Sequence, residues 1–130
     1  MSDSRSGADP GLAKMKCVPC RGGVPPMKQP QINEWLARLT SDWRVAGDHH
    51  LEREYRFPDF RTALDFVNRV GAIAESEGHH PDLELAWGRV GVKIFTHKID
   101  GLTESDFVLA AKIEEESRKA SQKAEGRRQK

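Results

Sequence analysis

The chain has 130 residues, of which 37% are hydrophobic and 32% charged, a balance that suits one domain around one modest core. Its 21 Lys and Arg against 20 Asp and Glu give a net charge of +1, so no overall field favours nucleic acid or an anionic membrane, and a small ligand is the expected partner. No stretch is apolar enough to span a bilayer, the first residues do not form an export signal, and the two cysteines, Cys17 and Cys20, are too few for a secreted disulfide framework, so the reducing cytoplasm is the expected location.

Residues 1–29 carry scattered Gly, Pro, Lys and Ser, including Arg21-Gly-Gly-Val-Pro-Pro26, which cannot propagate a helix or a central strand. A flexible arm is expected there. Ile32, Trp35, Leu36 and Leu39 fall at helical spacing and predict a short amphipathic helix over 31–39. Residues 43–46 lead to the turn signal Gly47-Asp48 and then to 51–57, where Leu51, Arg53, Tyr55 and Phe57 alternate with Glu52, Glu54 and Arg56. This predicts a hairpin whose second strand has one wet face. His49 and His50, in its turn, read as exposed polar residues.

Pro58-Asp59 supplies a break and an N-cap for a helix in which Ala63, Leu64, Val67, Val70, Ile73 and Ala74 repeat every three or four residues. Gly78 stands where a left-handed cap is wanted, and Pro81 biases His80 away from helical backbone angles. His79 and His80 are therefore expected in the loop that leaves this helix. Residues 83–87 and 90–96 straddle Gly88-Arg89 and predict a second hairpin. Residues 97–102 form a connecting loop, and Thr103-Glu-Ser-Asp106 has the pattern of a capping box. A last helix is expected to run to about Glu116, burying Phe107, Leu109, Ala110 and Ile113. Residues 117–130 form a basic tail that extends this helix and then frays. The folded domain is thus expected over 30–116. The order α-β-β-α-β-β-α predicts an α+β fold, a four-stranded antiparallel sheet with three helices packed on one face.

Three of the five histidines border the second hairpin, His79 and His80 before it and His97 after its last strand. The start of one strand and the end of its antiparallel neighbour share a sheet end, so the three imidazoles can face one cavity. Imidazole titrates near neutral pH, and such a group can hold an acid and a base together. Paired loop histidines also form local hydrogen bonds, Asp106 has an explanation as the capping partner of Thr103, Glu75 can be solvated, and Trp87 can belong to the core. Three histidines with a carboxylate could bind zinc, and Cys17 with Cys20 is half of a structural zinc site. Adjacent His79 and His80 are awkward ligands for one ion, however, and no metal site is expected.

From Glu75 to Glu114 the chain resembles the pterin-4a-carbinolamine dehydratases. Their signature is an acidic residue, three spacers, His-His-Pro, five spacers, an aromatic, nine spacers, His and then Asp. Here it reads Glu75, His79-His80-Pro81, Trp87, His97 and Asp106. Members also often begin with Cys-x-x-Cys, Gly-Gly and Pro-Pro, matched by Cys17, Cys20, Gly22-Gly23 and Pro25-Pro26. Two positions depart from the pattern: Lys98 where an acidic residue is common, and Leu83 where some members carry an aromatic.

The resemblance implies removal of water from a 4a-hydroxytetrahydropterin, the product of an aromatic amino acid hydroxylase, to give the quinonoid dihydropterin. It implies His79, His80 and His97 as acid–base groups without a metal or cofactor, with Glu75 and Asp106 orienting them. It further implies that Pro81 fixes the loop, that Trp87 lines the pocket, and that the chain forms a homodimer or homotetramer. Relatives that act as dimerisation cofactors or enzyme assembly factors leave a binding role as the alternative.

Overall fold

The computed structural model describes residues 10–17, 25–40 and 42–128, with side chains from residue 11 to 119. Its elements are α1 (Pro10–Lys14), α2 (Gln29–Leu36), β1 (Arg44–Ala46), β2 (His50–Arg56), α3 (Phe60–Glu77), β3 (Asp82–Ala86), β4 (Arg89–Ile94), a 3-10 turn (His97–Ile99) and α4 (Glu104–Arg128). The four strands form one antiparallel sheet in the order β1-β2-β4-β3. The expected α+β architecture is present, with one further helix, α1, at the N-terminal side.

Local chemistry sets the ends of α3. Asp59 is extended, and its Oδ1 accepts the Thr62 N–H at 2.8 Å, which satisfies one donor that the first turn leaves orphaned. At the other end Gly78 is left-handed, with φ 65°, a conformation that needs no Cβ. The N–H groups of Gly78 and His79 both bond back to the last turn. The chain therefore leaves the helix in a fixed direction, and His79 and His80 follow directly.

The sheet's inner face is built by alternation. Leu51, Tyr55, Val90, Val92 and Ile94 are buried beneath α3 and α4, with Trp43, Phe66 and Phe107 among the largest fully buried side chains. The outer face is charged. Arg44, Glu52, Lys93 and Asp82 are successive cross-strand partners through all four strands, a row of alternating sign that neutralises itself.

Two expectations change. The segment containing α1 is not free: Leu12 is fully buried, Ala13 is buried, and Lys112 Nζ donates to Ala13 O at 2.8 Å. A single leucine in polar surroundings gives no periodicity, which is why the sequence reads as an arm. Further along, Met27 N–H donates to Leu102 O at 2.9 Å. Residues 18–24, with Cys20 and Gly22-Gly23, lie outside the described residues. The second concerns the bound near Glu116: α4 does not stop there but continues to Arg128, taking in most of the basic stretch that was expected to extend it. Its first three turns are buried on almost every side, from Phe107 to Ile113, because α1, α2, α3 and β2 all pack against it.

Replacing Leu12 by Ala tests the docked segment. A fully buried leucine should cost about 2–5 kcal/mol of unfolding free energy, read from denaturant titration, whereas a loss below about 0.5 kcal/mol, as at a surface position, would show α1 to be undocked.

Candidate active site

His79 leaves α3 and lies against the N-terminal turn of α4, where its Nε2 is 2.5 Å from Asp106 Oδ1. Asp106 is fully buried. Its other oxygen accepts from the Thr103 N–H at 2.8 Å and from the Thr96 hydroxyl at 2.9 Å. Thr96 Oγ1 also lies 3.0 Å from Thr103 Oγ1. Asp106 is thus both a helix-capping residue and the partner of a histidine, two roles that exclude each other only in one dimension. An ionised carboxylate accepts and cannot donate, so His79 Nε2 carries the hydrogen and Nδ1 remains to take or give a proton. The first turn of a helix favours the negative charge.

His80 is more exposed, with 58% of its side chain accessible, and its Nε2 sits 2.7 Å from Glu75 Oε2. Glu75 is one turn back on α3, so this is a surface pair. Pro81 follows, half-buried, and leads into β3. His97 opens the 3-10 turn after β4 and is exposed. Its ring rests on Phe95 with centroids 4.2 Å apart. A bridge between Thr96 and Gly101 closes this turn. The link between His79 and the His97 turn is therefore Asp106 bonded to Thr96, the residue just before His97.

Trp87 is not brought to these residues. It stands at the β3–β4 turn, beside left-handed Gly88, and the five residues of β3 separate that turn from the histidine end by roughly 16 Å. It is 72% exposed rather than lining a pocket with them. A residue at a hairpin turn lies by construction at the opposite end from the hairpin's open ends. A recess of about 400 Å³ lies on the sheet's outer face, among Glu52, Glu54, Asp82 and Glu84. It is not the space between His79 and Asp106.

Sequence reasoning missed three participants. Phe95 reads only as the end of a strand, and Thr96, although it stands beside His97 in the stretch that resembles the family, carries no expected role. Glu77 was not singled out. It accepts the Cys17 N–H at 2.9 Å and lies 3.6 Å from Lys112 Nζ. The Cys17 N–H, followed by the Lys112 charge, holds its carboxyl below the usual range. The contact ties the N-terminal segment to the last residue of α3, two places before His79. Cys17 Sγ lies 3.5 Å from Ser105 O, next to Asp106. Burial, reinforced by the Glu77 carboxylate, pushes the Cys17 thiol up to about 12.

Among the described residues, no group of three or more His, Cys, Asp or Glu side chains is gathered as a metal site, and no helix is long and apolar enough to cross a membrane. The arrangement pairs imidazoles with carboxylates at one end of an antiparallel sheet covered by helices. Residues 25–116 match the family model described as pterin 4 alpha carbinolamine dehydratase. The chain belongs to that family.

A provisionally named pterin-4-alpha-carbinolamine dehydratase of Rubrobacter xylanophilus is 59% identical over 103 residues, spanning 79% of this chain and 95% of the relative. Another, of Alkaliphilus metalliredigens, is 51% identical over 105 residues, spanning 81% and 95%. The crystal structure of a transcriptional coactivator/pterin dehydratase from Brucella melitensis superposes with a TM-score of 0.65 at 34% identity, over 70% of this chain and 97% of that one. A pterin dehydratase-like protein identified as a RuBisCO assembly factor in the alpha-carboxysome shares the fold, with a TM-score of 0.51 at 19% identity over 58% and 88%.

The geometry separates the two adjacent histidines. His79→Ala leaves Asp106 buried without one of its partners and should cost about 1–3 kcal/mol. His80→Ala, at an exposed pair, should change the unfolding midpoint little. Equal effects in thermal melts would contradict the structure. The Cys17 thiol should resist alkylation at pH 8, scored at that residue by mass spectrometry, and should react as freely as an ordinary cysteine once the chain is unfolded. Because the folded form disfavours the thiolate, this group's contribution to stability is present below the ordinary thiol range and is lost as pH rises from there toward about 12.

Proposed function

We propose that the protein is a 4a-hydroxytetrahydropterin dehydratase working by histidine acid–base catalysis without a metal or cofactor. The observation that carries the reading is the His79–Asp106 pair, joined through Thr96 to the turn that bears His97. An imidazole whose Nε2–H is held by a buried carboxylate has one tautomer and one orientation, with its second nitrogen left for substrate.

Loss of hydroxide from C4a is slow unless the oxygen gains a proton as the C–O bond breaks. The ring must also release a proton as the new double bond forms, giving water and the quinonoid dihydropterin. In this reading His79 and His97 meet the reacting edge of the pterin, and His80 is the principal acid for the departing oxygen. Glu75 orients His80, Asp106 orients His79, and Pro81 holds the loop. Trp87 has no part in the site of its own chain. The substrate is the product of an aromatic amino acid hydroxylase, the location is the cytoplasm, and the assembly is a homodimer or homotetramer.

A second reading, a binding or assembly role, draws on the other end of the molecule. Trp87 is 72% exposed, Phe60 44% and Leu64 38%, and β3 is an edge strand whose outer side has no partner among the described strands. Both features suit contact with another chain.

Dehydration of freshly generated 4a-hydroxytetrahydropterin discriminates the two. His80→Ala and His97→Ala, at exposed positions, should each lower turnover by about 10²- to 10⁴-fold with the fold intact by circular dichroism. Wild-type turnover by a variant lacking His79, His80 and His97 together would overturn the dehydratase reading.

A further inference from the structure

His49 and His50 are not simple exposed polar residues; they form a second histidine group. The β1–β2 turn closes with His49 N–H on Ala46 O at 2.9 Å, and Gly47 and Asp48 both have positive φ, 59° and 53°. This turn brings the two rings edge to face, centroids 5.2 Å apart, with their Nδ1 atoms at 3.0 Å. Each outer nitrogen meets a carboxylate: His49 Nε2 lies 2.6 Å from Asp100 Oδ1, and His50 Nε2 lies 2.8 Å from Glu52 Oε2.

The proton count follows. Carboxylates only accept, so both Nε2 atoms carry hydrogens. Two Nδ1 atoms at hydrogen-bond distance need one hydrogen between them, because two would repel and none would set lone pair against lone pair. All four ring nitrogens are satisfied when the two rings carry three hydrogens between them. The hydrogen bond from His50 also holds the Glu52 carboxyl below its usual range.

This group reaches His97 by two routes. Asp100 ends the turn that His97 opens, with its own N–H on His97 O at 3.2 Å. The His49 ring also packs on Phe95 at 4.5 Å, and His97 packs on that same ring at 4.2 Å. We propose that His49 and His50 are positioning residues for His97: held against each other and against Asp100 and Phe95, they clasp the β1–β2 turn to the turn that carries it.

The other charges facing the group are Arg44, 3.2 Å from Glu52 on β1, and Lys93 on β4, whose ammonium is 5.6 Å from the Phe95 centroid. Asp48 and Lys98 lie within the two turns. Breaking either the ring-to-ring contact or the Asp100 bond frees the two turns from each other, and His97 loses its anchor.

The inference rests on the reading that His97 serves a pterin site, but the clasp is testable without substrate. Imidazole resonances of the ¹⁵N-labelled full chain report the clasp: in His50→Gln, and in Asp100→Asn at a largely exposed carboxylate, the His97 signals should shift and sharpen as its ring loosens. In dehydration assays both variants should lose about three- to tenfold in kcat with KM changed less than about twofold, as for a misplaced group. His97 resonances unchanged from wild type in both variants would overturn the clasp. Shifted and sharpened His97 resonances in a protein that dehydrates nothing would uphold the clasp and overturn the functional reading alone.

Discussion

A carboxylate with no exposed surface, Asp106, must be satisfied where it lies, and much of the surrounding chain is arranged to do so. Burying such a group unpaired would be prohibitive. Here it receives a backbone N–H, a threonine hydroxyl and an imidazole N–H at the favourable end of a helix. Three separate pieces of chain meet at one side chain: the exit of α3, the end of β4 and the start of α4. Their relative positions are fixed because any of them moving away would strand a charge.

The helix that begins there carries a second buried carboxylate two turns on. Glu114 is hydrogen-bonded by Trp43 Nε1 at 3.2 Å and by Tyr55 Oη at 2.7 Å, and it is paired with Arg53. Burial, then the adjacent Glu114 charge, pushes the Tyr55 phenol above its ordinary range. The same helix is thus pinned to the loops at one point and to the inner face of the sheet at another. With α1, α2 and α3 packed around it, α4 transmits the geometry of the hydrophobic core to the histidine end.

Legibility in the sequence followed the range of the forces. Asp59 and Gly78 fix the ends of α3 by contacts within a few residues, so they could be read directly, as could the two hairpins and the sheet they form. The docking of Leu12 depends on a helix about a hundred residues away and left no local trace. His79 and Asp106 were visible as candidates, but the bond between them required a fold. His49 and His50 looked like turn decoration because their carboxylate partners, Glu52 and Asp100, become neighbours only when two turns meet. Trp87 was misplaced for a simpler reason: a motif records spacing along the chain and is silent about which end of a strand each position occupies.

Gly101 lies against Pro26 so closely that a Cβ there would come within 2.5 Å of the proline ring. The two residues are far apart in sequence yet occupy one space, so neither can be exchanged without regard to the other. A loop transplanted from a relative with any side chain at 101 would push the N-terminal segment off Leu102 and loosen the turn that starts with His97. Chimeras of this fold should therefore be cut so that both stretches come from the same parent.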